Sequence, residues 1–493
     1  MVHNAVEVRD QIIADRLERM SKLTGLANPN SGKQLLPWLQ EEGYPFNDLK
    51  AGHVKQALRR LDDAVTGGDS HPQEVELLHE VLNMRVEVSQ SASKKFDALA
   101  NMTDDDGRLR NSHQFAGAGR TWRWAGRGFQ VQNLKKAMKG LDGLEWEETE
   151  AGHQMVVGGT QISAADHLAT MDADTFELIY DRPMDALSGA VRTVVQAPDG
   201  YVFVDADLAA IENVGLGWVA GDQKILNVFR DKKDPYIDFA TFLYKRPYQE
   251  LWDEWKVGGD KTKRTVAKPG VLGCGYMLSA GDQYENHQTG EIEATGLLGY
   301  AWNMGVDLTK QQSEMSVEVW RDTYSDAVQF WWDIDKAVRR CITTGKPTQV
   351  RSIRFDRKGP FLRMILPSGR CLHYFSPRME EWKMPWGKWK MSITYEQVEN
   401  YQWNRVSTHP GKLTENCVQA IARDFLAHGM VLADKAGLPI VMHVHDQVLA
   451  LVKEDEADAA LTKLLDCMTV RPTWASEIPI SAAGHISKWF IKD

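Results

Sequence analysis

The chain has 493 residues, 43% of them hydrophobic, and its formal net charge is −10 at pH 7. A chain of this length can bury a large core and should form two or three subdomains. The acidic balance argues against a protein that coats nucleic acid by bulk attraction, so nucleic-acid binding would need a local basic surface.

The cysteines and the N-terminus indicate the compartment. The five cysteines are scattered and never form a CxxC pair, which predicts free thiols in a reducing compartment without structural zinc or disulfides. The first residues, MVHNAVEVRDQII, carry charges where a signal peptide would be apolar, and no apolar run approaches the length of a membrane span. We therefore expect a soluble, cytoplasmic protein without a membrane partner.

The first hundred residues have helical patterns. Ser31 and Gln34 have the spacing of a capping box, and Pro72 stands where a first helical turn accepts proline. The amphipathic pattern that Pro72 opens runs towards Lys94 and Lys95. Plain helical packing explains the leucines of this region equally well, and only these two lysines hint at nucleic acid.

A basic segment follows between residues 107 and 141. Trp122, Trp124 and Phe129 are interleaved with its cations, as expected of a segment that follows a phosphate backbone and offers stacking faces. A solvated basic loop is the alternative explanation of the charges alone. The cations, which occur there without one acidic residue, are Arg108, Arg110, Arg120, Arg123, Arg127, Lys135, Lys136 and Lys139.

Two acidic segments lie on predicted strands more than two hundred residues apart. The segment VFVDADLAAIE contains Asp205 and Asp207, which the strand period places on one face, and VMHVHDQVLALV contains Asp446. The pattern alone does not choose between Asp205 and Asp207. One carboxylate from each strand predicts a shared metal site.

Four residues between these segments recur every four positions: Arg264, Lys268, Leu272 and Tyr276. A helix would present them on one face. Two cations, an apolar residue and an aromatic residue in one stripe suit a triphosphate and the nucleoside attached to it. Pro269 is expected to kink this helix, because proline removes a hydrogen bond and strains the preceding turn.

In this order the three segments resemble the polymerase motifs of the family A DNA polymerases, and specifically those of phage-type members. Gly119-Arg120 followed by QVQNL resembles the template-strand motif of that family. The similarity continues through LPSGRCLHYF, ENCVQAIARDFLAHGM and TWASEIPISAAGHISKWFIKD, and so covers nearly the whole chain. The resemblance implies an α+β right-hand fold with a thumb, a palm built on an antiparallel sheet, and helical fingers.

The resemblance also implies a division of the chain into units. They are a helical thumb and its base (1–106), a segment that contacts template and primer (107–140), an insertion without a recognised role (141–186), the palm with its first metal-binding motif (187–222), the fingers (223–345) and the palm with its second metal-binding motif (346–493).

Catalytic roles follow from the same resemblance. Asp207 and Asp446 would hold two Mg²⁺ ions, and the Leu208 carbonyl would contribute one backbone ligand. Arg264 and Lys268 would bind the incoming triphosphate and compensate the charge that builds during transfer.

Three further residues would contact the nucleotide. Glu212 matches the steric gate of the family, a side chain that occupies the space of a ribose 2′-hydroxyl and that usually bonds to the tyrosine equivalent to Tyr276. The match at Glu212 also assigns Asp207, rather than Asp205, as the first metal ligand. Leu272 stands where bacterial members carry phenylalanine or tyrosine, the position that governs acceptance of chain-terminating dideoxynucleotides.

Contacts to DNA are implied for another set of residues. Arg120 matches a primer-side contact, and Gln419 and His445 match positions near the primer terminus and the minor groove. The full set, in which Gln132 and Asn133 are template-side contacts, is Lys94, Lys95, Arg120, Gln130, Gln132, Asn133, Gln419 and His445.

Two positions depart from the family pattern. Gln447 replaces the last acid of the usual His-Asp-Glu, which removes a charge beside the metals, and Val214 replaces an arginine that commonly follows the gate glutamate. We expect altered metal affinity or fidelity from the first change and the loss of one salt bridge from the second.

The expected function is template-directed extension of a DNA primer with dNTPs and Mg²⁺, in phage genome replication within the host cytoplasm. Family members usually carry a 3′→5′ exonuclease before the thumb, whereas this sequence begins with thumb-like residues. We therefore expect no proofreading on this chain, either because the sequence is truncated or because a separate exonuclease chain or another replisome protein is a partner.

Two alternatives are open. A single-subunit RNA polymerase shares the aspartate pair and the fingers cations, but Glu212 and the GR…QNL segment argue against it. A catalytically inert DNA-binding scaffold descended from a polymerase would explain Gln447, Val214 and Pro269, but the retained aspartates and fingers residues argue against that.

Overall fold

The structure is a computed structural model. It describes residues 1–67, 72–90, 93–134, 146–149, 152–157, 160–162, 164–180, 182–286, 291–384, 387–399 and 402–490.

The helices occur in three groups, with α1–α5 before the first strand, α6–α8 before the central strand, and most of the remainder between residues 211 and 344. They are α1 (Val2–Thr24), α2 (Gly32–Glu41), α3 (Ala51–Gly67), α4 (Pro72–Val88), α5 (Lys95–Met102), α6 (Ala164–Thr170), α7 (Ala173–Ile179), α8 (Pro183–Thr193), α9 (Ile211–Ala220), α10 (Gln223–Arg230), α11 (Pro235–Tyr244), α12 (Tyr248–Lys256), α13 (Thr262–Gly273), α14 (Gly296–Asn303), α15 (Lys310–Thr323), α16 (Ser325–Thr344), α17 (Pro410–Lys435) and α18 (Ala457–Thr469).

Within the described ranges the strands form five antiparallel sheets. They are β1 (His113–Ala118), β2 (Arg123–Gly126), β3 (Trp146–Thr149), β4 (Gly152–Val157), β5 (Thr160–Ile162), β6 (Tyr201–Leu208), β7 (Gln283–Asn286), β8 (Glu291–Ala294), β9 (Thr348–Val350), β10 (Ile353–Lys358), β11 (Phe361–Ile365), β12 (Cys371–Lys383), β13 (Trp389–Glu399), β14 (Gln402–Thr408), β15 (Ile440–Val444), β16 (Gln447–Lys453), β17 (Ala482–Ala483) and β18 (Ile486–Ser487).

The central sheet is built around β6. The hairpin β15–β16 pairs with one edge of β6, and the short C-terminal strands β17 and β18 pair with the other. Val204 and Ala206 of β6 are fully buried, as expected of a strand that is covered on both edges and packed below by helices. Strands from three distant parts of the sequence therefore meet at one end of β6.

A second sheet has six strands in the order β14-β13-β12-β11-β10-β9. One face alternates buried residues such as Phe355, Leu362 and Tyr374, and it packs on α16. The opposite face carries the alternate residues of each strand and is not part of this core.

The described part of the chain has three hydrophobic cores. The largest joins the central sheet, the six-stranded sheet and the helices from α9 to α18. A second joins the first half of α1 to α5, α7 and α8, and a third joins the end of α1 to α2, α3 and α4. Because α1 contributes to both smaller cores, it connects the N-terminal helices to the rest of the protein.

The N-terminal helices confirm the predicted helical pattern but correct one detail. Ser31 is the N-cap of α2, yet its side chain makes no capping hydrogen bond, so the predicted capping box is wrong. The Gln34 side chain instead accepts a hydrogen bond from the Asn28 backbone N–H at 3.0 Å. Leu35 and Leu39 are fully buried, as the pattern predicted.

The segment expected to be an insertion has two parts. Strands β3, β4 and β5 form a small antiparallel sheet. Helices α6 and α7 pack on α1, and the Asn4 side chain donates to the Leu168 and Met171 carbonyls at 2.9 and 2.8 Å. The second part is thus integrated in a core, while the predicted unit boundaries stay a prediction.

The helix α13 runs through Pro269 without a break in its assigned range. The close packing of α13 on α11 depends on Gly270, where an added Cβ would lie 2.8 Å from Cε1 of Phe239. The α-helix ends at Gly273, and Tyr276 lies in a following 3₁₀ helix, Cys274–Tyr276, so the predicted single helix through Tyr276 is wrong.

Two further structural facts concern the cysteines and the helices. All five cysteines are free thiols. Within the described ranges, no helix has the length and apolar character that a membrane span requires.

Candidate active site

The register of β6 and β16 brings the two acidic segments together. Gln447 is the register partner of Asp207, so Asp446, which precedes Gln447 in the β15–β16 turn, lies next to Asp207 across the strand pair. The Leu208 N–H donates to the Asp446 carbonyl at 3.2 Å. Asp207, Leu208 and Asp446 all line one cavity of about 640 Å³.

The turn between β15 and β16 aims Asp446 into this cavity. His445 has a positive φ of 55°, an unusual conformation for a residue other than glycine. Its ring Nε2 lies 3.1 Å from the Gln132 carbonyl, which ties the turn to the segment after β2. Backbone strain at such a position is commonly found at functional sites.

The structure separates the two aspartates that the sequence pattern left equivalent. Asp205 is 4% exposed, and its Oδ2 accepts a hydrogen bond from Gln447 Nε2 at 2.9 Å. His485 Nε2 lies 3.1 Å from the same oxygen. Both aspartates line the cavity, but Asp205 is buried and bound by two side chains, whereas Asp207 is half-buried.

The donor set fits a hard divalent cation. Two carboxylates and a neighbouring backbone carbonyl at one cavity wall are oxygen ligands, and Mg²⁺ is commonly bound by one or two carboxylates together with waters and substrate phosphates. Among the described residues no group of three or more His, Cys, Asp or Glu side chains could hold a metal ion. The predicted ligand set, which has only two such side chains, is compatible with that finding.

Glu212 is fixed by two partners. Arg123 Nη1 of β2 donates to Glu212 Oε1 at 2.8 Å, and the Tyr276 hydroxyl donates to Glu212 Oε2 at 3.3 Å. Burial, together with the nearby Glu212 carboxylate, raises the pKa of Tyr276 well above its usual value, so the phenol keeps its proton. The predicted bond between Glu212 and Tyr276 is present.

The missing arginine at position 214 has a structural explanation. Val214 is completely buried in the largest core, where an arginine would be costly. The cation beside Glu212 comes from Arg123 instead. A cation from a different element, β2, therefore pairs with Glu212.

The fingers cations lie on α13 and face an aromatic pocket. Arg264 donates from Nε and Nη2 to Asp234 Oδ2 at 3.1 and 2.9 Å. Its guanidinium lies 4.8 Å from the ring centre of Tyr236 and 4.4 Å from that of Trp255. Lys268 Nζ lies 5.8 Å from the same Tyr236 ring, so one aromatic ring positions both cations.

Tyr236 and Leu272 also line the cavity that contains the aspartates. Tyr276 reaches this site through Glu212. Of the residues predicted to contact the nucleotide, Glu212 and Leu272 line this cavity together with the predicted metal ligands, whereas its lining does not include Arg264, Lys268 or Tyr276.

A neighbouring cavity of about 450 Å³ collects most of the residues predicted to contact DNA. It lies between β2, the turn after it, α17 and the β15–β16 turn. The predicted residues in its wall are Gln130, Gln132, Asn133, Gln419 and His445. His445 lines both cavities, so the two sites are adjacent.

Other predicted DNA contacts already have partners within the protein. The Arg120 guanidinium lies between the rings of Tyr374 and Tyr395, 4.6 and 4.5 Å from their centres, and donates to the His373 carbonyl. Lys95 Nζ donates to the Phe129 carbonyl at 2.8 Å, and burial lowers the pKa of Lys95.

The basic segment is only partly a stacking surface. Phe129 is 1% exposed and belongs to a core, and Trp124 packs on His443 with 4.7 Å between ring centres. Trp122 is 38% exposed, and Lys94 is exposed as well. Lys135, Lys136 and Lys139 lie outside the described residues.

Sequence reasoning missed several residues that hold the site in place. Asp234 precedes Pro235 at the start of α11, a sequence signal for an N-cap, and its side chain does accept from the Tyr236 and Ile237 N–H groups. No local pattern marks His485 as the partner of Asp205, because the contact depends on the C-terminal strands reaching β6.

Comparisons with known proteins identify the family and the fold. A DNA polymerase of Bacillus phage SP02 is 30% identical over 495 residues, and the match covers 100% of this chain and 68% of the phage protein. The chain belongs to the family A DNA polymerases. No family model matches the sequence.

A solved structure supports the polymerase fold. The polymerase domain of Pol1 from M. smegmatis, in complex with a DNA primer-template and dNTP, matches with a TM-score of 0.57 and 14% identity. The match covers 99% of this chain and 66% of that one. The predicted α+β polymerase fold and the predicted family are thus confirmed, and this family A chain spans about two thirds of each relative.

Proposed function

We propose that this protein is a DNA-directed DNA polymerase that extends a primer in the 5′→3′ direction with dNTPs, in phage genome replication. The observation that carries the proposal is the β6–β16 pairing, which sets Asp207 beside Asp446 at the wall of one cavity. Glu212 and the fingers residues Tyr236 and Leu272 line the same space.

Two Mg²⁺ ions would be held by the carboxylates of Asp207 and Asp446 and by the Leu208 carbonyl. When bound, such ions lower the pKa of the primer 3′-hydroxyl and neutralise the triphosphate and the leaving pyrophosphate. The protein's own contribution is to hold the two carboxylates rigidly. Asp207 is fixed by the paired strands on both sides of β6, and Asp446 by the strained turn at His445.

Arg264 and Lys268 would bind the triphosphate oxygens. Arg264 is oriented by Asp234 and by stacking between Tyr236 and Trp255, so little side-chain freedom is lost when a phosphate binds. The Asp234 carboxylate stabilises this guanidinium in the absence of nucleotide. A triphosphate offers stronger, multiply charged acceptors to the same donor groups.

Glu212 would select deoxyribonucleotides. Its carboxylate is held from one side by Arg123 and from the other by Tyr276, so it cannot swing away to admit a 2′-hydroxyl. Selection by a fixed side chain is stronger than selection by a mobile one, because displacement breaks an ion pair and a hydrogen bond. This arrangement favours a DNA polymerase over a single-subunit RNA polymerase.

The cavity lined by Gln132, Gln419 and His445 would receive the duplex end next to the metal site. Amide side chains can both donate and accept, which suits contacts with the acceptor atoms common to the minor-groove edges of all base pairs. The site would thereby hold the primer end without selecting a sequence.

Primer extension tests the proposal. A labelled primer on a recessed DNA template is incubated with Mg²⁺ and dNTPs or NTPs, using the wild type, Asp446→Asn and the control Asp455→Asn. Asp455 is an exposed acid beyond β16 that does not line either cavity.

We expect dNTP-dependent extension by the wild type and the control, and loss of extension in Asp446→Asn with DNA binding retained. Full activity of Asp446→Asn would contradict the proposed site. A wild type that binds DNA but extends nothing would favour the inert scaffold, and equal use of NTPs would favour an RNA polymerase.

A further inference from the structure

An aromatic row crosses the outer face of the six-stranded sheet. It consists of Trp122, His373, Phe361, Phe375 and Trp403, in that spatial order. The ring centres of successive members are 6.4, 5.7, 5.4 and 5.4 Å apart. Trp122 and Trp403, at the two ends, are 38% and 66% exposed, and the rings between them are half-buried.

The strand register explains why these rings meet on one face. Phe361 of β11 pairs with Phe375 of β12, and His373 lies two positions from Phe375 on the same strand. Leu362 and Tyr374, the alternate residues, are buried in the core below. The row is therefore not needed to fill the core, since the opposite face of the same strands already does so.

Cations surround the aromatic row. Arg354, Lys358 and Arg378 are exposed and lie on the same face by strand alternation and register. The face also has acids, but two of them are neutralised: Asp356 by Arg363, at 2.5 Å, and Glu396 by Arg405. The third, Glu380, lies 3.6 Å from Arg405.

The aromatic row begins at the segment predicted to contact template and primer. Arg120 of this segment donates to the His373 carbonyl and to Gln397 Oε1, the latter at 3.0 Å. Trp122, two residues later, stacks on the His373 ring with an interplanar angle of 29°. The row thus begins beside the cavity proposed to receive DNA, because Thr121 and Arg123, the two neighbours of Trp122, line that cavity.

We propose that this face is a binding platform for single-stranded DNA, which takes the unpaired template strand ahead of the primer end. Every base offers a π-face, so stacking on a series of rings binds single strands with little sequence preference, and nearby cations bind the phosphates. A duplex buries its base faces and cannot use the rings in this way. The inference rests on the proposed function for the identity of the strand.

Two variants test the platform against a matched control. Trp403→Ala removes the most exposed ring, and Phe375→Leu removes stacking while it keeps an apolar side chain. The control is Trp389→Ala, because Trp389 is a similarly exposed tryptophan, at 64%, on strand β13 of the same sheet. Its strand position places it on the face opposite to that of Val398, the register partner of Trp403.

Binding is measured by fluorescence anisotropy with three labelled substrates: an oligothymidine, a flush duplex, and a primer-template with a 5′ overhang. The overhang has about 16 nucleotides, which is the upper end of the lengths that single-strand-binding folds cover. We expect Trp403→Ala and Phe375→Leu each to weaken binding of the oligothymidine and the overhang substrate by about fivefold or more. Flush-duplex affinity should be unchanged, and Trp389→Ala should resemble the wild type in all three.

Unchanged single-strand affinity in both variants would overturn the platform, as would an equal loss for the flush duplex. An unchanged melting temperature of Phe375→Leu shows that the fold is intact. Primer extension by the same proteins separates the two proposals: a ring-dependent single-strand affinity in a wild type without polymerase activity supports the platform and overturns only the proposed function.

Discussion

At the scale of single residues, the departure at Gln447 is the most informative feature. The amide that replaces the usual glutamate is 2% exposed and donates to Asp205, an acid that lies on the neighbouring strand two residues before Asp207. One buried carboxylate is thus still present beside the two aspartates proposed to bind metal, on β6 instead of β16. The expectation that this site simply lacks a charge is therefore incomplete.

The pair can be tested by exchange. Gln447→Glu places two carboxylates together in a buried position, and we expect it to lower the melting temperature clearly and to reduce activity. The double variant Asp205→Asn/Gln447→Glu again places an amide donor opposite a carboxylate acceptor. It should recover most of the melting temperature and most of the activity. Thermal unfolding measures the melting temperatures of the single and double variants, and primer extension measures their activities. A double variant that is no more stable and no more active than Gln447→Glu would show that the amide and the carboxylate cannot be exchanged.

Glu212 leads to a prediction on sugar selection. Glu212→Ala opens the space beside Tyr276, so incorporation of a ribonucleotide relative to its deoxy counterpart should rise by at least about tenfold. Single-nucleotide incorporation assays with matched dNTP and NTP measure this ratio. Glu250→Ala, at an exposed acid of α12, is the control and should leave the ratio unchanged.

At the scale of elements, the sequence predicted the strands and helices that carry the site but not how some of them end. Period-two alternation identified β6 and β16, and four-residue spacing identified α13. The helix end at Gly273 and the uncapped Ser31 were missed; at Ser31 the Gln34 side chain bonds to the Asn28 backbone N–H instead of completing a capping box. The pairing of Asp205 with His485 is likewise a long-range contact with no local signal.

The packing of α13 on α11 gives a stability prediction. Gly270→Ala puts a methyl group against the Phe239 ring, 2.8 Å from Cε1, and should destabilise the protein by about 1–3 kcal/mol. Gly52→Ala is the control, because an added Cβ there meets nothing within 4 Å in α3 and alanine favours a helix. Chemical denaturation compares the two, and equal stability of both variants would contradict the close packing.

At the scale of the whole molecule, contacts between distant segments create the working surfaces. The two cavities share Arg123 of β2 and His445 of the β15–β16 turn, which are far apart in the sequence. Composition and motifs could identify these segments and, through the family resemblance, their order in the right-hand fold. They could not reveal that Arg120 supports β12 or that the outer sheet face has an aromatic row, since neither is encoded by local spacing.

One such long-range contact predicts a pH dependence. Burial, with smaller contributions from His113 and Arg423, lowers the pKa of His443 from its usual 6.5 to about 3, and the Trp124 ring covers the imidazole. Below pH 6.5 the unfolded chain binds a proton at this histidine that the folded protein does not. Above about pH 6.5 the histidine is neutral in both states and does not affect the free energy of unfolding. As the pH falls from 6.5 towards 3, the free energy of unfolding decreases, by roughly 2 kcal/mol at pH 5.

Denaturation at a series of pH values checks this prediction. His443→Phe removes the titrating group and keeps a ring against Trp124, so its stability should fall less steeply between pH 6.5 and pH 5 than that of the wild type. His3→Phe changes a histidine far from this contact, near the N-terminus, and should retain the wild-type slope. A slope unaffected by His443→Phe would show that other groups account for the acid sensitivity.

The central claim is that Asp207 and Asp446 form the catalytic centre of a templated DNA polymerase. Single-turnover incorporation opposite each of the four template bases, by the wild type and Asp207→Asn with DNA affinity measured in parallel, tests it most directly. The account predicts addition of the complementary dNTP in every case and a loss of roughly 10²-fold or more in the incorporation rate of Asp207→Asn at unchanged DNA affinity. Incorporation that ignores the template base, or that survives Asp207→Asn, would contradict it.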